Sequence, residues 1–193
     1  MTIRPYKETD REAVHDACLY CDGPDNFSES TKNFLFATYC DYYIEREPFN
    51  CFVATDENDK AVGYIICAED FDKFIKIFNE EYFTRIPEED TSCRFYASTA
   101  NEVQKKYKDD YPAHLHIDIL YTHHRLGLGR RLMDALISHL KEKGVKGVVL
   151  SVNAKNEKGV NFYKKYGFDL LEETPDCIAF GIKLQEKDNE KIS

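Results

Sequence analysis

Three side chains with acid–base chemistry alternate with apolar ones in His114–Leu115–His116–Ile117–Asp118–Ile119–Leu120. Successive side chains of a strand point to opposite faces, so His114, His116 and Asp118 share one face. Such a face can accept a proton from an amine, directly or through water, with Asp118 orienting an imidazole or holding a cationic substrate. It can equally be a buried polar ladder that fixes the strand, because a buried carboxylate needs partners in either case. A β-bulge in this strand would change the facing. Metal binding by His114, His116, His123 and His124 would require adjacent loop histidines to converge, and no metal is expected.

The strand runs into Tyr121–Thr122–His123–His124–Arg125–Leu126–Gly127–Leu128–Gly129–Arg130–Arg131, and then into a segment with Leu128, Leu132, Leu136 and Leu140 at every fourth position. That period marks an amphipathic helix. The first turn of a helix has N–H groups without intrahelical acceptors, and the macrodipole leaves partial positive charge there, so a phosphate fits. Gly127 and Gly129 remove Cβ atoms that would hold a phosphate away from the amides. Between Asp118 and Asp134 the chain has Arg125, Arg130 and Arg131 but no carboxylate. A Walker loop would need Lys-Ser/Thr after Gly129, where Arg130 and Arg131 stand. A dinucleotide fingerprint would need glycine at Leu132 and an acid near Val149.

The turn resembles motif A of the GCN5-related N-acetyltransferases (GNAT), Gln/Arg-x-x-Gly-x-Gly/Ala, with His124 at the Gln/Arg position and Arg125 beside it. Downstream, Asn156–Glu157–Lys158–Gly159–Val160–Asn161–Phe162–Tyr163–Lys164–Lys165–Tyr166–Gly167–Phe168 is similar to that family's Asn-x-x-Ala-x-x-Phe-Tyr-x-x-x-Gly-Phe, with Gly159 replacing alanine. The apolar strand Val148–Val152 lies between the two motifs. Ile3–Arg4–Pro5–Tyr6, Val62–Gly63–Tyr64, Asp70 and Tyr111–Leu120 narrow the likeness to the acetyltransferase-like domain of O-GlcNAc hydrolases and its free-standing bacterial relatives. Glycosidase activity is not implied.

The resemblance implies an acetyl-coenzyme A co-substrate with its pyrophosphate on His124, Arg125, Leu126, Gly127, Leu128, Gly129 and Arg130. It places pantetheine against backbone groups of Ile117 and Ile119, with Leu120 and Tyr121 adjoining, and brings in Asn156, Phe162 and Tyr163. Tyr163 matches a tyrosine that serves many members as general acid, and a phenol with pKa near 10 is protonated at neutral pH. Its alternative reading is an aromatic on the buried face of a short helix. Tyr163, Asp118 and His116 are the candidate catalytic residues. None of the cysteines lies in motif A or beside Tyr163, so direct transfer without an acyl-enzyme is expected.

These residues must be positioned by a chain of 193 residues, 42% of them hydrophobic, with net charge −9. That charge argues against nucleic-acid or anionic-membrane partners, which need an extended basic face. No apolar run reaches about 18 residues and Met1–Pro5 has no signal-type segment, so a cytoplasmic location is expected. Seven cysteines at irregular spacing make a poor disulfide framework.

The patterns predict a strand at Thr2–Tyr6, a helix at Glu8–Tyr20, a second helix from Ser28 to about Arg46 and strands at Phe49–Thr55 and Ala61–Glu69. Residues 70–110 exceed a simple connection, and Phe71, Phe74, Ile75, Phe78 and Tyr82 fall on one helical face, which predicts a helical insertion. Glu80, Glu81, Glu88, Glu89 and Asp90 read as a solvated face, with attraction of a basic acceptor as the alternative. The expected fold is α/β (α+β): a mixed sheet of about seven strands flanked by helices, one GNAT domain over 1–184 and a charged tail at 185–193. The expected activity is acetyl transfer to a primary amine of a small molecule or peptide. A non-catalytic coenzyme-binding or protein-interaction module is the rival, and a homodimer is left open.

Overall fold

The computed structural model describes residues 1–184. Seven strands form one mixed sheet in the order β1-β2-β3-β4-β5-β7-β6. They are β1 (Thr2–Pro5), β2 (Phe52–Thr55), β3 (Ala61–Ala68), β4 (Ala113–Ile119), β5 (Gly147–Asn153), β6 (Asp169–Glu173) and β7 (Cys177–Lys183). β3 is buried along its whole length, as expected of a strand covered on both faces. β4 pairs with it antiparallel in unbroken register from Gly63↔Ile119 to Ala68↔His114, so no bulge disturbs the alternation of β4. β4 and β5 are parallel, and their ladder holds only Ala113↔Val148 and His114↔Val149. Beyond His114 the two strands part.

Eight α-helices among the described residues flank the sheet. α7 (Leu128–Glu142) buries Leu128, Leu132, Leu136 and Leu140, each at most 1% exposed, against the face that carries Leu115, Val148 and Leu150. α8 (Glu157–Tyr166) lies on that same face and ends at Gly167, whose φ of 112° is the left-handed conformation glycine allows at a helix C-terminus. The opposite face is covered by α1 (Arg11–Leu19), α3 (Asp41–Arg46) and α4 (Phe71–Ile77), with Tyr42, Tyr43, Tyr64, Phe74 and Phe78 at its centre.

The single helix expected from Ser28 to Arg46 is two. α2 (Glu29–Tyr39) is capped by the Ser28 hydroxyl on the Thr31 amide, and the chain breaks at Cys40, with φ −131° and ψ −58°, before α3 begins. Glu8–Asp10 is a short 3-10 turn ahead of α1, and Pro48–Asn50 is another, so β2 starts at Phe52 instead of Phe49. Residues 71–107 are the expected helical insertion: α4, a π turn at Phe78–Tyr82, a 3-10 turn at Phe83–Arg85, α5 (Thr91–Thr99) and α6 (Glu102–Tyr107). Its ends meet where the Phe71 amide donates to the Pro112 carbonyl at 3.0 Å.

Arg85 ties the insertion to Asp41 and Glu45 of α3, and Lys106 ties it to Glu172 of β6. Glu81 pairs with Arg46 and Asp90 accepts from Ser30, so two carboxylates of the acidic run have partners inside the fold. No helix among the described residues is long and apolar enough to cross a membrane. The charged tail expected at 185–193 lies outside the described residues.

Candidate active site

The β4 alternation directs His114, His116 and Asp118 toward α1, α3 and α4, and Leu115, Ile117 and Ile119 toward α7. The shared face does not act as one unit. His114 Nε2 and His116 Nε2 both meet the buried Tyr43 hydroxyl, at 3.0 and 3.1 Å. Burial pushes His116 down to about 4 and His114 to about 3, so both imidazoles are neutral at physiological pH and are weak proton acceptors. Asp118 contacts neither ring. The Tyr64 hydroxyl, from the facing residue of β3, donates to Asp118 Oδ2 at 2.5 Å.

Burial pushes the Asp118 carboxyl up to about 7, and the nearby Asp22 charge pushes the same way. The hydrogen bond from Tyr64 opposes the rise. A carboxyl that titrates near neutrality suits general base chemistry better than a depressed imidazole. Sequence reasoning assigns no chemistry to Tyr64, Tyr43 or Cys21. The available signal for Tyr64 is its place on β3, two residues before Ile66 and four before Ala68, which sets it across from Asp118.

The Leu120 amide donates to the Val62 carbonyl, which continues the β3–β4 ladder and turns the N–H and C=O of Ile117 and Ile119 to the opposite edge. There the β5 ladder has ended. The edge can therefore pair with an extended ligand chain. The Leu120 and Tyr121 amides are committed to Val62 and Tyr20, and the Leu120 carbonyl accepts from the His123 amide, so Leu120 presents only its side chain and Tyr121 its carbonyl and side chain. His124, at the Gln/Arg position, folds back: its Nε2 lies 2.9 Å from the Ile119 carbonyl oxygen, to which it donates.

At the turn, Arg125 and Gly127 adopt left-handed conformations with φ of 64° and 73°. A Cβ on Gly127 would meet nothing within 4 Å, whereas one on Gly129 would lie 3.5 Å from the Phe162 ring and 3.7 Å from Ile119. Gly129 thus lets α8 close on the end of β4, and the Gly127 side of the turn stays open. Leu126, Gly127 and Arg130 are exposed, while Leu128 turns inward and is buried. Arg130 lies 5.7 Å from the Tyr166 ring centroid and 3.9 Å from Asp134. Arg125 has no hydrogen bond or ion pair among the described residues. An open cradle of first-turn amides beside cationic side chains fits a pyrophosphate.

Asn156 caps α8, its Oδ1 accepting from the Gly159 amide at 2.9 Å. A Cβ on Gly159 would press to 3.0 Å on the Asn156 amide and 3.1 Å on Val152, which accounts for glycine where the motif has alanine. Phe162 and Tyr163 meet edge to face at 5.3 Å, and Tyr163 also packs on Phe168 and Phe180. Its hydroxyl has no hydrogen-bond partner among the described residues. Burial, assisted by the Asp118 charge, raises its pKa, so the phenol keeps its proton. No group of His, Cys, Asp or Glu among the described residues is arranged to hold a metal ion.

A cleft of about 600 Å³ opens between α6 and β6–β7, lined by Glu102, Lys105, Lys106, Glu172, Thr174 and Cys177. Ile178 and Phe180 face α7, so Cys177 lies on the same sheet face as Asp118.

A mixed sheet whose two parallel strands part above a glycine turn is the fold of the GNAT acetyltransferases. The chain belongs to that family: residues 17–168 match the acetyltransferase (GNAT) family profile. It is 25% identical over 189 residues to protein O-GlcNAcase of Rattus norvegicus, an alignment covering 86% of this chain and 20% of that protein. The chain thus corresponds to about a fifth of that relative's length. Among solved structures it superposes on SsHAT with a TM-score of 0.84 and 27% identity, covering 96% of this chain and 98% of that one. It also shares its fold with yncA of Salmonella typhimurium, a putative acetyltransferase solved with acetyl-CoA, at a TM-score of 0.60 and 16% identity, covering 100% of this chain and 99% of that one.

Proposed function

We propose that this protein transfers an acetyl group from acetyl-coenzyme A to a primary amine by direct attack, with Asp118 as general base and Tyr163 as general acid. The observation that carries the reading is the parting of β4 from β5 above the glycine turn, with Asp118 on one sheet face and Tyr163 on the other, close enough that the carboxylate charge helps keep the phenol protonated. The coenzyme supplies an activated thioester and a thiol that departs. The turn amides around Gly127, with Arg125 and Arg130, hold its pyrophosphate, and the open edge of Ile117 and Ile119 aligns its extended arm.

Asp118 takes the proton that an amine must lose as it bonds to carbon. Tyr163 Oη gives its proton to the departing sulfur, which avoids releasing a bare thiolate into a site closed off by Phe162 and Phe168. His116, neutral and tied to Tyr43, shapes the amine side of the cleft. Burial raises the pKa of Cys21, Cys40, Cys51, Cys67 and Cys177, so these remain thiols and are poor nucleophiles. This supports attack by the amine itself. The acceptor enters from the sheet face that carries Asp118, the same face on which the 600 Å³ cleft opens between α6 and β6–β7.

The test is coenzyme thiol release against a panel of amines, polyamines, amino sugars and lysine peptides, with acetylated product identified by mass spectrometry. Turnover that depends on one amine class is expected. Tight acetyl-coenzyme A binding without transfer to any of them would make the chain a coenzyme-binding module instead.

A further inference from the structure

Asp118 sits at the end of a strand, on a sheet face packed with tyrosines, and a carboxylate there needs something to fix its direction. A donor from the facing strand meets it. Tyr64, fully buried on β3, places its hydroxyl 2.5 Å from Asp118 Oδ2. The phenol is itself held from behind, with Cys40 Sγ 3.8 Å from its oxygen at the break between α2 and α3. Cys21, in the loop after α1, donates its thiol to the Cys18 carbonyl oxygen at 3.9 Å. That thiol is pushed up to about 12, by burial first and by the Asp118 charge next, so it keeps its proton. Besides Cys40 behind Tyr64, the other charged or titratable groups that act on Asp118 are Asp22, next to Cys21, and Tyr163 of α8. Neither donates a hydrogen bond to it in this structure.

We propose that Tyr64 is a positioning residue for Asp118, an O–H donor that holds the carboxylate in the orientation the amine meets. The proposal rests on the transferase reading for its consequence in catalysis, but the clamp itself is a property of the protein without ligand. It separates two jobs that look alike in the sequence: Tyr163 gives a proton to the leaving group, whereas Tyr64 keeps its proton and directs the base.

Hydrogen bonds to the charged form of an acid favour that form, so removing a donor must move the Asp118 titration upward. The experiment follows the Asp118 carboxyl by ¹³C NMR in aspartate-labelled protein, assigned by its loss in Asp118→Asn, together with the pH profile of kcat/KM. Tyr64→Phe keeps ring volume, and its midpoint is expected about one pH unit higher in both measurements, with kcat/KM near pH 6 about tenfold lower.

A folded Tyr64→Phe protein whose Asp118 midpoint is unchanged overturns the proposal. If Tyr64→Phe does not fold, 3-fluorotyrosine placed at position 64 decides: its more acidic phenol must lower the Asp118 midpoint, and an unchanged midpoint sinks the proposal. Should the wild type transfer acetyl to no amine, the transferase reading fails. The NMR midpoints then still establish or overturn the clamp by themselves.

Discussion

Asp118→Asn removes the one carboxyl that the sheet lifts to about 7, and its consequence for stability can be worked out with its sign. The folded-state pKa lies above the unfolded value of 3.8, so the folded protein holds the proton more tightly. The associated stability is fully present below pH 4, and it is lost as pH rises through 7. Between pH 5 and pH 8 the two pKa values correspond to a loss of at most about 2.5 kcal/mol, at about 1.4 kcal/mol per unit. The carboxyl keeps some exposure, and solvent screening lowers the expected loss to about 1–2 kcal/mol. The replacement amide can still accept the Tyr64 hydroxyl but does not titrate. Urea denaturation of both proteins at pH 5 and pH 8 should show the variant gaining about that much on the wild type as pH rises. A stability difference that stays constant across this window would refute the raised carboxyl, and with it the base assignment. In turnover, the wild type should rise through an inflection near 7 and the variant should lack it.

Tyr163→Phe removes a proton donor while preserving the packing on Phe162, Phe168 and Phe180, so kcat should fall by about 10²–10⁴ with coenzyme affinity unchanged by calorimetry; a loss under about fivefold would show that water replaces the phenol. Gly129→Asp sets a carboxylate on the first turn of α7, and calorimetry should show coenzyme affinity reduced by about 100-fold or more; unchanged affinity would place the phosphate elsewhere. Glu47 is fully buried and accepts from the Tyr42 hydroxyl, the Asn50 side chain and the Glu69 amide. Glu47→Ala leaves three donors unmet, so denaturant unfolding should show a loss of about 3 kcal/mol or more; a loss under about 1 kcal/mol would mean water reaches the site.

Local pattern determined a good deal of this protein. The two-residue alternation of β4 set His114, His116 and Asp118 on one face, because the strand period depends on the backbone alone. The four-residue leucine repeat set the buried side of α7, and glycine at 127 set a left-handed residue at its N-cap. The periodicity of Phe71, Phe74 and Phe78 announced the insertion. Boundaries that depend on partners were not legible. Nothing in the composition of Ser28–Arg46 marks the break at Cys40, which arises where α3 turns Tyr42 and Tyr43 into the core. The ladder between β4 and β5 stops after His114 although both sequences remain strand-like, because separation of two strands depends on what packs between them.

The acid–base assignments belong to tertiary structure most of all. Sequence places Asp118 two residues from His116 and cannot say that one rises to about 7 while the other falls to about 4. Burial disfavours the charged form of each, which moves an acid up and a base down. Tyr64 stands 54 residues away in the chain. Its arrival at the Asp118 carboxylate follows from strand register, which a local window does not contain.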